Sequence, residues 1–166
     1  MDLDKWLDSA KKSIFRFEFL QEYKIKDEED FDKRMDEQFL KTGEVDMSLM
    51  KEWHDFIRSK TSSGVEMRWV RLVVIPINFY TKLSLHIYRK RLEFGIDIMV
   101  ITQENFDKLN IKVNDFYLID DENVLLMNYD DKKDFLGVTL DNKSLKKYLG
   151  YKKLLLENSV PVGEFK

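Results

Sequence analysis

Arg68 and Arg71 are the residues of this sequence whose chemistry connects most readily with a ligand. A guanidinium group presents a planar set of N–H donors that matches the oxygens of phosphates and carboxylates. The two arginines lie three positions apart in a β-branched segment, so a strand would turn them to opposite faces of a sheet. One interpretation is an arginine that binds an anion. The other, which we favour, is a buried arginine paired with a carboxylate such as Glu18 or Asp97.

Acidic residues suggest a second kind of chemistry. Asp97, Asp115 and Asp120 lie in or beside predicted strands, and carboxylates that hold a divalent metal together with an arginine would suit a phosphoesterase. A nuclease of the restriction type needs a further acidic-x-Lys pair on the next strand, and none follows Asp97 at a suitable distance. The chain has no cysteine and only two histidines, neither with ligand spacing, so no metal or other cofactor is predicted.

The distribution of charge limits the partners that we expect. The net charge is −3, whereas nucleic-acid binders concentrate positive charge. Arg89, Lys90 and Arg91 are consecutive on a predicted helix, so they fan around its axis and do not share one face. Direct nucleic-acid binding is therefore not expected. No apolar run approaches the ~20 residues that span a bilayer, and the sequence lacks a signal peptide, so we expect no membrane partner and a cytoplasmic location.

The elements that would position these residues fall into two parts of a single predicted domain, residues 1–166. Residues 1–62 are predicted to be helical, with one helix starting at Asp27, while Ile14–Leu20 fits either a strand or a continuing helix. Residues 65–158 are predicted to form a mixed sheet with flanking helices. About five strands are expected there: Val65–Ile77, Ile96–Ile101, Phe116–Ile119, Val124–Tyr129 and Phe135–Leu140. The fold class is predicted to be α+β.

The strand–turn–strand unit at Phe116–Met127, with the strand and helix before it, resembles one half of a phospholipase-D-like domain. In that superfamily a strand carries His-x-Lys, followed four residues later by Asp. The corresponding positions here are Val113, Asp115 and Asp120. The nucleophilic histidine and the phosphate-binding lysine are therefore absent, and the resemblance implies a half domain without phospholipase catalysis. Such halves normally pair, which implies a homodimer.

Most of the chain is similar to a bacterial family of unknown function whose members are often encoded beside Xre-type helix-turn-helix regulators. The similarity rests on motifs such as Phe15-Arg16-x-Glu18, Arg68-x-x-Arg71 and Gly95-x-Asp97-Ile98. It implies a non-enzymatic regulatory or ligand-sensing protein, with a helix-turn-helix regulator and a phosphorylated small molecule as the expected partners. The alternatives are a metal-dependent phosphoesterase or nucleotide-processing enzyme, and a toxin. We predict no catalytic residues, and a ligand site lined by seven residues: Arg16, Glu18, Arg68, Arg71, Tyr80, Asp97 and Asp120.

Overall fold

The computed structural model describes residues 2–24 and 28–166, so the predicted helix start at Asp27 lies outside the described residues. The α-helices are α1 (Leu3–Ser9), α2 (Glu29–Thr42), α3 (Lys51–Ser62), α4 (Phe79–Arg91), α5 (Gln103–Asp107) and α6 (Leu145–Glu157). The strands are β1 (Ser13–Glu18), β2 (Glu66–Val73), β3 (Asp97–Thr102), β4 (Phe116–Ile119), β5 (Asn123–Tyr129), β6 (Phe135–Leu140) and β7 (Val160–Pro161). Short 3-10 helices lie at Met47–Met50, Leu92–Phe94 and Asn142–Ser144.

The seven strands of the described residues form one mixed sheet in the order β6-β5-β4-β1-β2-β3-β7. β1, β2 and β3 are parallel, whereas β4, β5 and β6 form an antiparallel meander that joins the sheet where β4 pairs with β1. At the other edge, β7 pairs with β3 in antiparallel orientation. The carboxyl ends of β1 and β2 therefore lie beside each other, and the loops that follow these strands meet at one edge of the sheet.

The segment that fitted either a strand or a helix is β1, and it lies in the middle of the sheet. Phe15 and Phe17 point to one face and are almost fully buried there. Ile14, Arg16 and Glu18 point to the opposite face, as the two-residue period of a strand requires. β1 has a neighbouring strand on both sides, so its charged side chains, Arg16 and Glu18, lie in the interior of the domain.

Helices cover both faces of the sheet. α1, α2, α3 and α4 contribute apolar side chains to the core on the face of Arg16, including Leu7, Met35, Ile57 and Leu83. α5 and α6 cover the other face, where Phe106 stacks on Phe17 of β1. Each layer buries the apolar face of the other, which is the arrangement expected for an α+β domain.

The predicted α+β class is confirmed, and the sheet has seven strands where about five were expected. The five predicted strands are all present as β2 to β6, with ends shifted by a few residues. The additional strands are β1 and β7, and β7 has only two residues, too few to leave a periodic pattern in the sequence. No helix among the described residues is long and apolar enough to cross a membrane.

Candidate functional site: a buried arginine–tyrosine cluster

Glu18 at the end of β1 is the centre of a buried polar cluster. Its register partner on β2 is Arg71, whose Nη1 donates to Glu18 Oε2 at 2.9 Å. The Tyr88 hydroxyl, carried by α4, donates to the same oxygen at 2.6 Å, and Arg16 Nε lies 3.3 Å from Oε1. Burial opposes the charge of this carboxylate, but Arg16 and Arg71 outweigh it and hold the pKa of Glu18 below its ordinary value.

Arg16 sits one register step along the same face and is bound mainly by aromatic groups. Its Nη1 donates to the Tyr117 hydroxyl at 2.8 Å, and Tyr117 is its register partner on β4. The guanidinium carbon lies 5.1, 5.6 and 5.8 Å from the ring centres of Tyr117, Tyr23 and Trp69. These distances are in the range of cation–π contacts, which stabilise a cation most strongly when it is shielded from water.

Tyr23, in the loop after β1, covers the two arginines. Its ring centre lies 5.1 Å from the guanidinium carbon of Arg71, in addition to its contact with Arg16. Its hydroxyl donates to the buried Asp115 and accepts the backbone N–H of Leu20 at 3.2 Å. Burial raises the pKa of Asp115 above its ordinary value, even though the bond from Tyr23 partly offsets that effect.

Two further tyrosines, Tyr80 and Tyr129, lie on either side of Tyr23. Their ring centres are 6.4 and 5.6 Å from that of Tyr23. Both are partly exposed. Burial raises the pKa of Tyr80 to about 12, so its hydroxyl remains a neutral donor at physiological pH. Tyr80 and Tyr129 therefore extend the aromatic cover that Tyr23 forms over Arg16 and Arg71.

Arg91, the last residue of α4, adds a third guanidinium group. Its Nε donates to Nε2 of the buried His54 at 3.2 Å, and its Nη2 lies 3.5 Å from the sulfur of Met50. The guanidinium carbon is 5.6 Å from the Trp69 ring centre and 5.5 Å from that of Tyr88. In the part of the chain that the structure describes, no carboxylate forms an ion pair with Arg91.

We call this group of side chains the arginine–tyrosine cluster. Its members are Arg16, Glu18, Tyr23, Trp69, Arg71, Tyr80, Tyr88, Arg91, Asp115, Tyr117 and Tyr129. The cluster contains three guanidinium groups, those of Arg16, Arg71 and Arg91, and two carboxylates, those of Glu18 and Asp115. Positive charge therefore exceeds negative charge inside the cluster.

The cluster also has more hydrogen-bond donors than acceptors. Among the described residues, the buried Nε atoms of Arg16 and Arg71 and the indole nitrogen of Trp69 have no hydrogen-bond partner. Arg16 Nε lies near Glu18 but is not aligned for a hydrogen bond. All three atoms are N–H donors on neighbouring positions of one sheet face, and buried donors are normally satisfied by a partner. An acceptor-rich group at this place would satisfy them.

The structure brings four of the seven predicted site residues together: Arg16, Glu18, Arg71 and Tyr80. Arg68 and Asp97 instead form a partly exposed pair, with Arg68 Nε 3.5 Å from Asp97 Oδ2 at the opposite, amino-terminal end of β2 and β3. The three-residue spacing of Arg68 and Arg71 explains this separation, because it sends one arginine into the core and the other to solvent. The buried ion pair that we favoured for one of these arginines is present in Arg71 and Glu18.

Asp120 follows β4, at the end of the strand opposite to Asp115, and binds backbone groups there. Its Oδ1 accepts the backbone N–H groups of Lys11, Lys12 and Ser13 at 3.0, 2.7 and 2.9 Å. Partial burial opposes its charge, but these three donors outweigh burial and lower the pKa of Asp120. Asp120 and Asp121 adopt left-handed backbone angles, with φ of 57° and 55°, which Asp tolerates better than most residues. The carboxylate therefore fixes the start of β1 against the β4–β5 turn.

The three aspartates of the metal hypothesis do not converge. Asp115 and Asp120 lie at opposite ends of β4, about 17 Å apart at the rise of a strand. Asp97 is on β3, which β1 and β2 separate from β4, a lateral distance of about 14 Å. A shared ion needs oxygens within about 2.6 Å of it. Within residues 2–24 and 28–166, no three His, Cys, Asp or Glu side chains are grouped so that they could hold a metal ion.

The comparison with protein-family models matches the whole chain, residues 1–166, to a domain of unknown function, DUF6879. The chain belongs to the DUF6879 family. The expectation of an uncharacterised family is thereby confirmed. A comparison with curated proteins finds no match.

Several members of the cluster in this DUF6879 chain were not predicted as site residues. Arg91 was considered only as part of the basic run on α4. The three side chains of that run diverge: Arg89 bonds the backbone oxygens of Val162 and Phe165, Lys90 pairs with Glu44, and Arg91 turns inward. Tyr117 could have been found from its alternation with Phe116 in β4. Tyr88 and Tyr129 could not, because only the packing of α4 and the order of the sheet bring them to Glu18 and Tyr23.

Proposed function

We propose that this DUF6879 chain is a non-enzymatic ligand-sensing protein whose arginine–tyrosine cluster binds a small phosphate-bearing anion. The observation that carries the proposal is the excess of guanidinium groups, one buried and two half-buried, and of free N–H donors over acceptors on one face of the sheet. Burying a cation costs free energy unless an opposite charge or an acceptor meets it. An anion with several oxygens would supply both.

The shape of the protein next to the cluster supports a bound small molecule. A crevice of about 390 Å³ lies at the carboxyl ends of β1 and β2, a volume in the range of small-molecule sites. Residues 19–22 line it, and Gln21 in this segment accepts the Nη2 of Arg71 through its backbone oxygen at 3.3 Å. Residues 19–22 thus lie between the crevice and Arg71, and they lead directly into Tyr23. In our proposal, displacement of this segment together with Tyr23 opens the crevice towards Arg71, which Gln21 contacts.

Movement of Tyr23 would also make the site a sensor. The ring is held over Arg16 and Arg71 by cation–π contacts and by one hydrogen bond to Asp115. A ligand that replaces these contacts would shift the population of the loop after β1, by an amount that its differential affinity sets. In our proposal a helix-turn-helix regulator in the cytoplasm reads that change.

The non-enzymatic assignment has its own support. Asp97, Asp115 and Asp120 lie too far apart to share an ion, which removes the motivation for a metal-dependent phosphoesterase. In the phospholipase-D-like alignment, the histidine position is the buried Val113, and the lysine position is Asp115, which is bonded to Tyr23. Neither side chain can attack phosphorus or neutralise a phosphate. This resemblance remains part of the proposal and implies a binding role.

A thermal-shift comparison tests the proposed function. The probes are inorganic phosphate, ribose 5-phosphate and adenosine monophosphate, with ribose and adenosine as uncharged counterparts at constant ionic strength. We expect at least one phosphate-bearing probe to raise Tm by about 5–10 °C near 100 times its Kd, while its counterpart has no effect. Arg91→Met should abolish this rise, and Arg68→Met should retain it because Arg68 lies outside the cluster. Equal shifts in the two variants, or no shift with any phosphate, would contradict the proposal.

A further inference from the structure

β6 closes one side of the sheet and leaves its outer edge without a neighbouring strand among the described residues. Its six residues, Phe135–Leu140, include no charged residue and no proline. The opposite edge strand, β7, is only two residues long and contains Pro161. Short length, proline and charge are the features that normally stop an edge from pairing with another chain. β7 has two of these three features and β6 has none of them, although β6 has a β-bulge at Leu136, which is a further protective feature.

The backbone of β6 is oriented for pairing. Asp141 donates its N–H to the oxygen of Val124 at 2.9 Å, so the alternate residues Leu140 and Val138 turn their N–H and C=O groups to the free edge. The pairing with β5 is regular from Gly137 to Leu140, and the irregularity beside Asn128 and Tyr129 affects only the first part of the strand. Among the described residues, the outer edge from Leu136 to Leu140 is therefore available for further hydrogen bonds, while Lys24 pairs with Asp134 just before β6 begins.

The side chains beside this edge are apolar and exposed. Leu136 is 66% exposed and Leu140 is 38% exposed, and they lie on either side of the buried Val138. Burying the two leucines of each molecule would remove apolar surface from water and stabilise an added strand. The two leucines therefore continue the apolar surface around Val138 as far as the outer edge of the sheet.

The charges that flank β6 have opposite signs at its two ends. The turn before it, residues 130–134, has three aspartates and two lysines, a net charge of −1. The segment after it, residues 141–147, has one aspartate and three lysines, a net charge of +2. In an antiparallel pair of two β6 strands, the turn of one copy faces the segment of the other. The edge is thus complementary to itself in charge as well as in hydrogen bonding.

We propose that β6 pairs in antiparallel orientation with β6 of a second copy of the chain. A two-fold axis near Val138 would relate the copies, so that two sheets of seven strands join into one of fourteen. Two strands, β5 and β4, separate this edge from β1, and none of the residues Leu136–Leu140 belongs to the arginine–tyrosine cluster. The two proposals can therefore fail independently.

Sedimentation velocity of the full chain tests the pairing. We expect a dimer whose fraction grows from about 1 µM to about 100 µM, as mass action requires. The variant Leu136→Lys with Leu140→Lys places like charges at the interface and should be monomeric over that range. Leu40→Lys is the matched control, because Leu40 is 72% exposed and lies on α2, and it should dimerise like the wild type. Circular dichroism checks that each variant is folded.

A cross-linking experiment tests the pairing of β6 even if the double variant does not fold. The chain has no cysteine, so Thr139→Cys introduces a single thiol on the exposed side of β6. A short bis-maleimide should convert this variant to a covalent dimer, whereas Leu40→Cys should stay monomeric. A wild type that is monomeric at every concentration would overturn the proposal and leave the edge to a strand from another protein. A dimer that persists in the folded double variant would also overturn it.

Discussion

Arg71 and Glu18 face each other across β2 and β1 and form an ion pair of 2.9 Å in which both side chains are at least 97% buried. A pair of this kind is sensitive to the loss of one partner, because the remaining charge is left in the interior without compensation. β2 also carries a surface counterpart, Arg68, which pairs with Asp97 on the neighbouring strand β3.

Glu18→Gln should therefore destabilise the protein strongly. We expect the free energy of unfolding to fall by about 3–5 kcal/mol, since Arg71, Arg16 and the Tyr88 hydroxyl all lose a charged acceptor. Asp97→Asn is the matched control and should cost less than about 1 kcal/mol, because its pair is partly exposed. Urea unfolding at neutral pH measures both values. A loss below about 1 kcal/mol for Glu18→Gln would show that the carboxylate is not needed to hold the arginines.

Asp120→Ala should destabilise the protein through the start of β1. The substitution leaves the backbone N–H groups of Lys11, Lys12 and Ser13 without their acceptor. We expect a loss of about 1–3 kcal/mol at neutral pH. Because the folded pKa of Asp120 is lowered, this contribution is fully present above the ordinary pKa of Asp and is lost as the pH falls from that value through the lowered folded pKa.

Urea titrations of the wild type and of Asp120→Ala at neutral and acidic pH measure this difference. Asp131→Asn is the control, because Asp131 is exposed in the β5–β6 turn. A difference between wild type and Asp120→Ala that is the same at pH values well below the carboxylate range would contradict the role of the charged form.

His54 should make stability depend on pH. Burial, with the nearby Arg91 charge, lowers the pKa of His54 from 6.5 to about 4. The unfolded chain therefore binds a proton on His54 at a pH where the folded chain does not. The stability of the fold should be complete above about pH 6.5 and decrease towards pH 4, by about 3 kcal/mol at most.

The difference between the wild type and His54→Gln isolates this effect from the carboxylates that titrate in the same range. We expect the wild type to lose more stability than the variant between pH 7 and pH 4, as measured by urea unfolding at several pH values. Parallel stability curves for the two proteins would show that His54 titrates normally in the folded state.

Gly95 should not tolerate a side chain. Its φ of 89° is in the left-handed region, and a Cβ at this position would lie 3.1 Å from the Thr61 Cβ and Oγ1. That hydroxyl donates to the Phe94 oxygen at 2.7 Å and joins α3 to the turn before β3. Gly95→Ala should cost about 1–2 kcal/mol.

Gly150→Ala is the comparison for Gly95→Ala. Gly150 is inside α6, and a Cβ there would meet no atom within 4 Å. Alanine is the better helix former by about 1 kcal/mol, so this substitution should raise Tm. Thermal unfolding of the two variants should shift Tm in opposite directions, and a shift of the same sign would contradict the geometry at Gly95.

The sheet strands that carry mostly apolar residues could be predicted from the sequence. β1 could not be assigned with the same ease, because the alternation of phenylalanines with Arg16 and Glu18 also fits a partly exposed helix. The structure resolves this through β2 and β4, which pair with β1 on both sides. The local sequence pattern does not show which distant strands pair with β1. This pairing buries Arg16 and Glu18, which alternate with the phenylalanines.

The residues of the candidate site could also be predicted only in part from the local sequence. The spacing of Arg68 and Arg71 predicts that one arginine is buried, and Glu18 was one of its two expected partners. Nothing local separates Arg91 from Arg89 and Lys90, however, because the direction of each depends on how α4 lies against β2 and α3. Tyr23 belongs to a loop, and its place over the arginines depends on the tertiary contact with Asp115.

The most direct test of the central claim is a tryptophan-fluorescence titration with pyrophosphate at constant ionic strength. Trp69 lies between Arg16 and Arg91, with both guanidinium carbons within 6 Å of its ring centre, so an anion bound there should change its emission. We predict a saturable change in the wild type and in Arg68→Met, and none in Arg91→Met or Arg16→Met. The absence of a saturable change in the wild type, or an unaltered change in folded Arg91→Met and Arg16→Met, would contradict anion binding by the arginine–tyrosine cluster.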